Sequence, residues 1–275
     1  MFVLLVLLAC GGRGEAPTTG EGAVRPGGLA ERCNGLDDDG DGRLARGETD
    51  ADGDGQLDCA PCDVAGFWKP TRELDGEALS RALVQMVEPQ WCRSYGHATR
   101  AMFLEIDRDP ATGEVECVYT GRRVRVDGAK PDPEQLNTEH SWPQSRGAGR
   151  VPARCDLHHL FPADARANRA RGNLPFGEVT QAVDWERGGS RRGRDADGRR
   201  VFEPRDAHKG NVARAMLYFA HRYDQRLSPE EIELYRSWHA ADPVDARELA
   251  RTMAIMGEQV VANPFVACPF LVDEL

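Results

Sequence analysis

A carboxylate beside an imidazole can hold a hard cation and take a proton from water. The chain carries such a pair at Glu139-His140, within Asn137-Thr138-Glu139-His140-Ser141-Trp142-Pro143. Chemistry of the phosphodiester-hydrolysing kind needs activated water, neutralised charge on the non-bridging oxygens and help for the departing oxygen. Histidine's ordinary pKa, about 6.5, leaves most of the imidazole neutral at pH 7 and able to accept a proton. Downstream lie Cys155-Asp156-Leu157-His158-His159-Leu160-Phe161-Pro162, then Asn168, Arg169, Arg171 and Asn173 before Pro175-Phe176-Gly177. A Glu-His pair by itself is a weak signal, because neighbours on a flat strand face opposite sides. Either a bend before Pro143 or a metal at the strand's edge has to bring both into one site.

The elements around these residues read as a mixture of helix and strand. Leu79, Leu83 and Val87 give helical spacing over Glu77–Val87, and a second helix is expected near His97–Ile106. Val115, Cys117, Tyr119, Val124 and Val126 alternate like strand residues, with a break at Gly121. Three helices are predicted further on. Val212, Ala215, Met216, Phe219 and Tyr223 form one apolar stripe; Ser228-Pro229-Glu230-Glu231 is a capping box; Asp245 with Glu248 opens a helix carrying Leu249, Met253, Met256 and Val260.

The net charge of −10 conceals two opposite segments. From Glu31 to Asp63, eleven acids face three arginines, whereas from His140 to Arg214 fifteen Lys and Arg face nine Asp and Glu. Within the acidic segment, Asp37-Asp38-Asp39-Gly40-Asp41-Gly42-Arg43-Leu44-Ala45-Arg46-Gly47-Glu48 has the spacing of a twelve-residue calcium loop. The expected Ca2+ ligands are Asp37, Asp39, Asp41, the Arg43 position and Glu48, then Asp50, Asp52, Asp54 and Asp58 in a second loop. Only Thr49 separates the two loops, which excludes the flanking helices of an EF-hand, and the pattern resembles thrombospondin type 3 repeats.

Met1 to Ala9 is an unbroken apolar run, too short to span a membrane. Leu7-Leu8-Ala9-Cys10-Gly11 resembles a bacterial lipobox, although no Lys or Arg precedes the run. The expected organisation is a signal peptide over 1–10, a Gly- and Pro-rich tether over 11–30, the Asp-rich module over 31–65 and one main domain over 66–275. Cys10 would carry a lipid anchoring the chain to the membrane of the cell envelope, or the chain would be secreted. The remaining seven cysteines are scattered rather than paired as CxxC knuckles, which favours disulfides in an oxidising compartment and leaves one thiol over.

Glu139-His140-x-x-Pro143, Asp156-Leu157-His158-His159-Leu160 and Asn168, with Cys117-Val118-Tyr119-Thr120-Gly121 before and Asn263-Pro264-Phe265 after, closely resemble the endonuclease I family over roughly Glu77–Pro269. The resemblance implies an α+β fold, a ββα-metal (His-Me finger) core inside a mainly helical domain. It also implies cleavage of DNA, and often RNA, with little sequence preference by a chain expected to act as a monomer. By position, His140 is the general base, and Glu139 and Asn168 bind one divalent ion, Mg2+ or in its place Mn2+. Asp156 and His158 would support the site. The stretch Ser145–Arg154 is short for the family, so the phosphate-holding arginine has three candidates, Arg146, Arg150 and Arg171. Ala267-Cys268-Pro269 also departs from the usual pattern. Two rivals are a zinc hydrolase using Cys155, Asp156, His158 and His159, and a non-catalytic calcium-binding surface lipoprotein. The first is opposed by neighbouring histidines that point apart on a strand, the second by the presence of Glu139, His140 and Asn168 together. The basic stretch Arg191, Arg192, Arg194, Arg199 and Arg200 reads as a surface loop or hairpin, part of it expected to touch phosphate backbone.

Overall fold

In the computed structural model of the chain, the described residues are 32–33, 36, 43–44, 47–50 and 57–275. Cys10, Asp37, Asp39, Asp41, Asp52 and Asp54 lie outside them. The fold is α+β: helices surround three small antiparallel sheets.

Two short helices, α1 (Ala60–Val64) and α2 (Trp68–Thr71), lead into α3 (Gly76–Val87), which buries Leu79, Leu83 and Val87 as their spacing requires. Helix α4 (Tyr95–Ala101) runs on through a π-helical turn to Ile106. Strands β1 (Glu114–Glu116) and β2 (Arg123–Arg125) form a hairpin, and Gly121, at φ 67°, supplies the left-handed turn residue between them. Next come β3 (Leu136–His140), β4 (Leu160–Asp164) and, with no intervening loop, α5 (Ala165–Arg171). The Asp164 side chain caps α5 by accepting from the backbone of Arg166 and Ala167. Strands β5 (Gln181–Arg187), β6 (Ser190–Arg194) and β7 (Arg200–Glu203) make the third sheet. The basic stretch expected to be a loop or hairpin is a hairpin: β6 and β7 pair antiparallel, Arg194 opposite Arg200, around the turn at 195–199.

Helix α6 (Lys209–Arg222) is the centre of the core. Every residue from Val212 to Ala220 is buried, so the helix is enclosed all round rather than along the single stripe its apolar residues suggest. Helix α7 (Pro229–Ala241) packs on it and starts with both capping-box hydrogen bonds, Ser228 to Glu231 and back. Helix α8 (Ala246–Gln259) corrects the sequence reading by one position. Its buried face is Glu248, Thr252, Ile255 and Gln259, while Leu249, Met253 and Met256 are half-buried and Val260 is exposed. The reason is polar pairing: Glu248 binds the fully buried Arg214 through both carboxylate oxygens, and Gln259 bonds Cys155 O, the Leu157 amide and Gln90. Buried polar groups with partners can occupy a core face that hydropathy alone would deny them. Helix α9 (Pro264–Ala267) and a closing 3-10 turn complete the chain.

Disulfides Cys33–Cys59, Cys62–Cys268 and Cys92–Cys155 leave Cys117 free and buried, the odd thiol that the count required. Cys62–Cys268 joins the last helix before residue 65 to the far C-terminus. Gly47, at φ 80°, packs so closely on Phe270 that a Cβ there would lie 2.8 Å from the ring. The end of the Asp-rich segment thus rests against the main domain. Glu48 is buried there, while Arg43 and Asp50 are exposed and Asp58 is half-buried, its carboxylate accepting from the Thr49 hydroxyl.

Candidate active site

Strand β3 pairs antiparallel with β4 in the register Glu139↔Phe161 and His140↔Leu160, and the chain turns from β4 directly into α5. Asn168 and Arg171, three residues apart on α5, share the face that meets β3. Asn168 donates through Nδ2 to Asn137 Oδ1 (2.8 Å) and to Thr138 O (3.1 Å), the carbonyl next to Glu139. Arg171 donates to the carbonyls of His140 and Ser141 at the end of the same strand. One helix turn therefore fixes the main chain on both sides of Glu139.

Glu139 is buried, and Oε1 alone carries its protein contacts: the Tyr119 hydroxyl donates to it at 2.9 Å and Arg171 lies 3.2 Å away. Among the described residues no donor reaches Glu139 Oε2 or Asn168 Oδ1. These two oxygens are the hard donors a small divalent cation prefers, and they stand at one strand–helix seam. The site fits such an ion. Burial pushes the Glu139 carboxyl up to about 7, against the opposing pull of Arg171 and the Tyr119 hydroxyl. A cation would reverse that shift by favouring the charged form.

His140 points elsewhere on the strand, as its neighbouring position demands. Its Nε2 lies 3.1 Å from Arg154 O. A carbonyl can only accept, so Nε2 carries the proton and Nδ1 is left with its lone pair free to act as the base. Nδ1 faces the amide of exposed Gln144 at 3.4 Å, a long contact that water can replace. The ring stacks on Tyr95 (centroids 5.8 Å apart) and meets the edge of His159. Burial, with His159 adding to it, presses the imidazole down to about 3, so the ring is neutral throughout the physiological range.

The three candidate arginines separate cleanly. Arg171 is fully buried, bound to Glu139 and backbone carbonyls and lying over the Phe176 ring, so it positions strand β3 and does not meet solvent. Arg146 and Arg150 are exposed on the segment that follows His140, Arg146 lying over the Trp142 ring. Arg154, not singled out by the sequence, is also exposed, its guanidinium 4.7 Å from the Tyr95 ring centroid.

The would-be zinc ligands are all engaged in other ways. Cys155 is bonded to Cys92; Asp156 accepts from Gln90, the His158 amide, Tyr218 and Tyr223. His158 and His159 bind the carbonyls of Val261 and Ala153. These bonds hold the turn that leads into β4. Tyr119, which fixes one oxygen of Glu139, lay in the Cys117–Gly121 stretch without an assigned role, and no residue pattern near Glu139 could have paired the two.

Comparison with known proteins finds nucleases. The Endonuclease I family matches residues 77–270. An extracellular ribonuclease of Bacillus amyloliquefaciens is 31% identical over 238 residues, covering 78% of each chain. One of Bacillus subtilis (strain 168) is 30% identical over 243 residues, 78% of this chain and 79% of that one. An extracellular deoxyribonuclease of Aeromonas hydrophila is 33% identical over 116 residues, 40% of this chain and 48% of its own.

Proposed function

The chain belongs to the endonuclease I family, and from that premise we propose that it is an exported, metal-dependent endonuclease cleaving DNA and RNA with little sequence preference. One observation carries the catalytic part: the Arg154 carbonyl holds the proton on His140 Nε2 and leaves Nδ1 as a base, one residue from a carboxylate with an uncommitted oxygen. The succession β3, β4, α5 is the order of a His-Me finger.

His140 Nδ1 takes the proton of the attacking water. Glu139 Oε2 and Asn168 Oδ1 would hold the cation, Mg2+ or Mn2+, which would supply charge neutralisation at the scissile phosphate. Arg171 and Tyr119 keep Glu139 in place, and Arg146, Arg150 and Arg154 meet phosphate from the solvent side. Nuclease relatives named for RNA and for DNA both support a polynucleotide substrate. A site that grips phosphate and metal suits either.

Asp37, Asp39, Asp41, Arg43, Glu48, Asp50, Asp52, Asp54 and Asp58 bind Ca2+ for structure on this reading, and Cys10 carries a lipid anchor. The deciding test incubates the purified protein with supercoiled plasmid and with RNA, in chelator and with added Mg2+. Cleavage of both, abolished by chelator and restored by Mg2+, is expected. Undiminished cleavage in chelator would refute the metal role.

A further inference from the structure

Two segments free of Asp and Glu flank His140: residues 89–100, with Arg93 and Arg100, and residues 141–155, with Arg146, Arg150 and Arg154. The Cys92–Cys155 disulfide fastens them together, bringing their Cα atoms to 6.0 Å. On this bridge stand Trp91, 54% exposed, and Arg93, also exposed, one residue to either side of Cys92; Arg154 precedes Cys155. Arg154 in turn touches Tyr95 by its side chain and His140 by its carbonyl. An exposed indole is thus anchored by a short covalent and hydrogen-bonded path to the base of the active site.

Resting on the nuclease reading, we infer that Trp91 is a stacking platform for an unpaired base of a single-stranded polynucleotide, next to the nucleotide being cleaved. Arg93 and Arg154 provide the charge for the flanking phosphates, and no carboxylate on either segment opposes them. An indole stacks on any base whose face is open, and in a duplex those faces are covered by neighbouring pairs. The surface suits a protein partner poorly. Its exposed large apolar side chains are Trp91 and Val151, with Val260 next to Gln259, whose carbonyl accepts from the Trp91 amide, whereas a stable protein interface buries about 800 Å² on each side. The platform reads base faces and phosphate, so it discriminates strandedness rather than sequence.

The test is binding of fluorescently labelled oligo(dT) fifteen nucleotides long, and of the same strand annealed to its complement, by the disulfide-intact full chain in chelator. Wild type, Trp91→Ala and Trp91→Phe are compared by anisotropy. Trp91→Ala is expected to reduce the ratio of single-strand to duplex affinity roughly tenfold, within the range found for loss of one stacked base; Trp91→Phe, which keeps a ring, is expected to restore most of it. An unchanged ratio in Trp91→Ala, or wild type with no preference for the single strand, overturns the inference. The binding assay needs no turnover, so the two readings fail separately. A wild type that cuts no nucleic acid with Mg2+ yet shows the Trp91-dependent preference sinks only the catalytic reading. A wild type that cuts plasmid while Trp91→Ala keeps its ratio sinks only the platform.

Discussion

Arginines crowd two regions, the segment Ser141–Cys155 and the sheet β5–β7, and the two use them in opposite ways. In the sheet, Arg191 pairs with Glu203, Arg192 and Arg200 share Asp184, and Arg199 binds Asp195 and Asp197. In the segment after His140, Arg146, Arg150 and Arg154 meet no carboxylate among the described residues, and there is no Asp or Glu in that stretch to supply one. A count of positive charge along the chain gives the sheet the greater claim to phosphate, yet the guanidiniums of Arg191, Arg192, Arg199 and Arg200 already balance local carboxylates, and Arg194 is bound to the Gly198 carbonyl, which leaves Arg187 as its exception. Surface ion pairs of this kind add little stability, but they lower the potential an approaching polyanion meets. Charge that is unpaired beside the reacting atoms is worth more to binding than charge that is merely abundant.

The largest effect tests the premise that the Ser141–Cys155 segment serves catalysis at all, since its Arg154 carbonyl orients His140, the proposed base. His140→Ala should lower plasmid cleavage ~10²–10⁴-fold, the usual cost of a lost general base, with thermal unfolding unchanged within a few degrees. Near-wild-type cutting by this variant would remove His140 from the mechanism and leave the segment a binding surface only.

The pH profile sharpens the same point. His140, pressed down to about 3, is already neutral at any pH where the enzyme works, so it does not set the acid limb. Glu139, pushed up to about 7 by burial, takes up a proton as pH falls through that value and must lose it to hold a cation. Proton and metal compete, so raising Mg2+ should move the acid limb of activity to lower pH. Glu139→Ala and Asn168→Ala should each need several-fold more Mg2+ for half-maximal rate. Acid limbs that superimpose at all Mg2+ concentrations would place the ion elsewhere.

The comparison itself is broken or upheld by paired arginine variants. Arg154→Ala keeps the carbonyl that holds His140 and removes only the guanidinium. This change and Arg150→Ala should each weaken duplex binding about tenfold and reduce the salt slope by ~0.9, one phosphate contact each. Arg199→Ala and Arg200→Ala, in the sheet, should alter binding less than about twofold and leave the slope unchanged. Equal losses in the two regions would mean that the sheet's ion pairs open on substrate.

Much of this site was legible because its parts are close in sequence. Glu139 and His140 are adjacent, and the Asn168–Arg171 spacing is one helical turn. What was not legible depends on the chain folding back. Tyr119 reaches Glu139 across a separation of 20 residues, and Arg154 reaches His140 across 14, with no periodicity to announce either contact. The same limit explains α8. Leu249, Met253 and Met256 form a credible apolar stripe, but Glu248 and Gln259 displace it from the core because Arg214, Cys155 O and the Leu157 amide wait there for partners. Arg171 was misjudged for a related reason: a residue type that binds phosphate on a surface binds a carboxylate and carbonyls when the fold encloses it.

The smallest expected effect concerns the Asp-rich segment, the acidic counterpart of the region after His140. Calcium over ~10⁻⁴–10⁻³ M, the range of extracellular modules, should increase protease resistance near residues 31–58 without changing the Mg2+-supported rate. The segment's carboxylates repel one another, and Leu36, Leu44 and Leu57 offer little apolar area to hold it folded unaided. Its contact with the main domain is nonetheless specific, through Gly47 on Phe270 and the Cys62–Cys268 bridge. That bridge dictates how the test must be made. A chain beginning near Val64 would leave Cys268 without its partner and confuse loss of the module with loss of a disulfide. A chain beginning at Ala60 removes Cys33 and Cys59 together and keeps Cys62–Cys268 intact. That shorter chain should cleave plasmid within about twofold of the full one at fixed Mg2+, because the described packing of the lost segment, Gly47 on Phe270, lies at the closing C-terminal turn. It should also lose the calcium-dependent protection altogether. A folded Ala60 chain with little nuclease activity would show instead that the acidic segment shapes the active site, and that the two halves of the charge distribution act together.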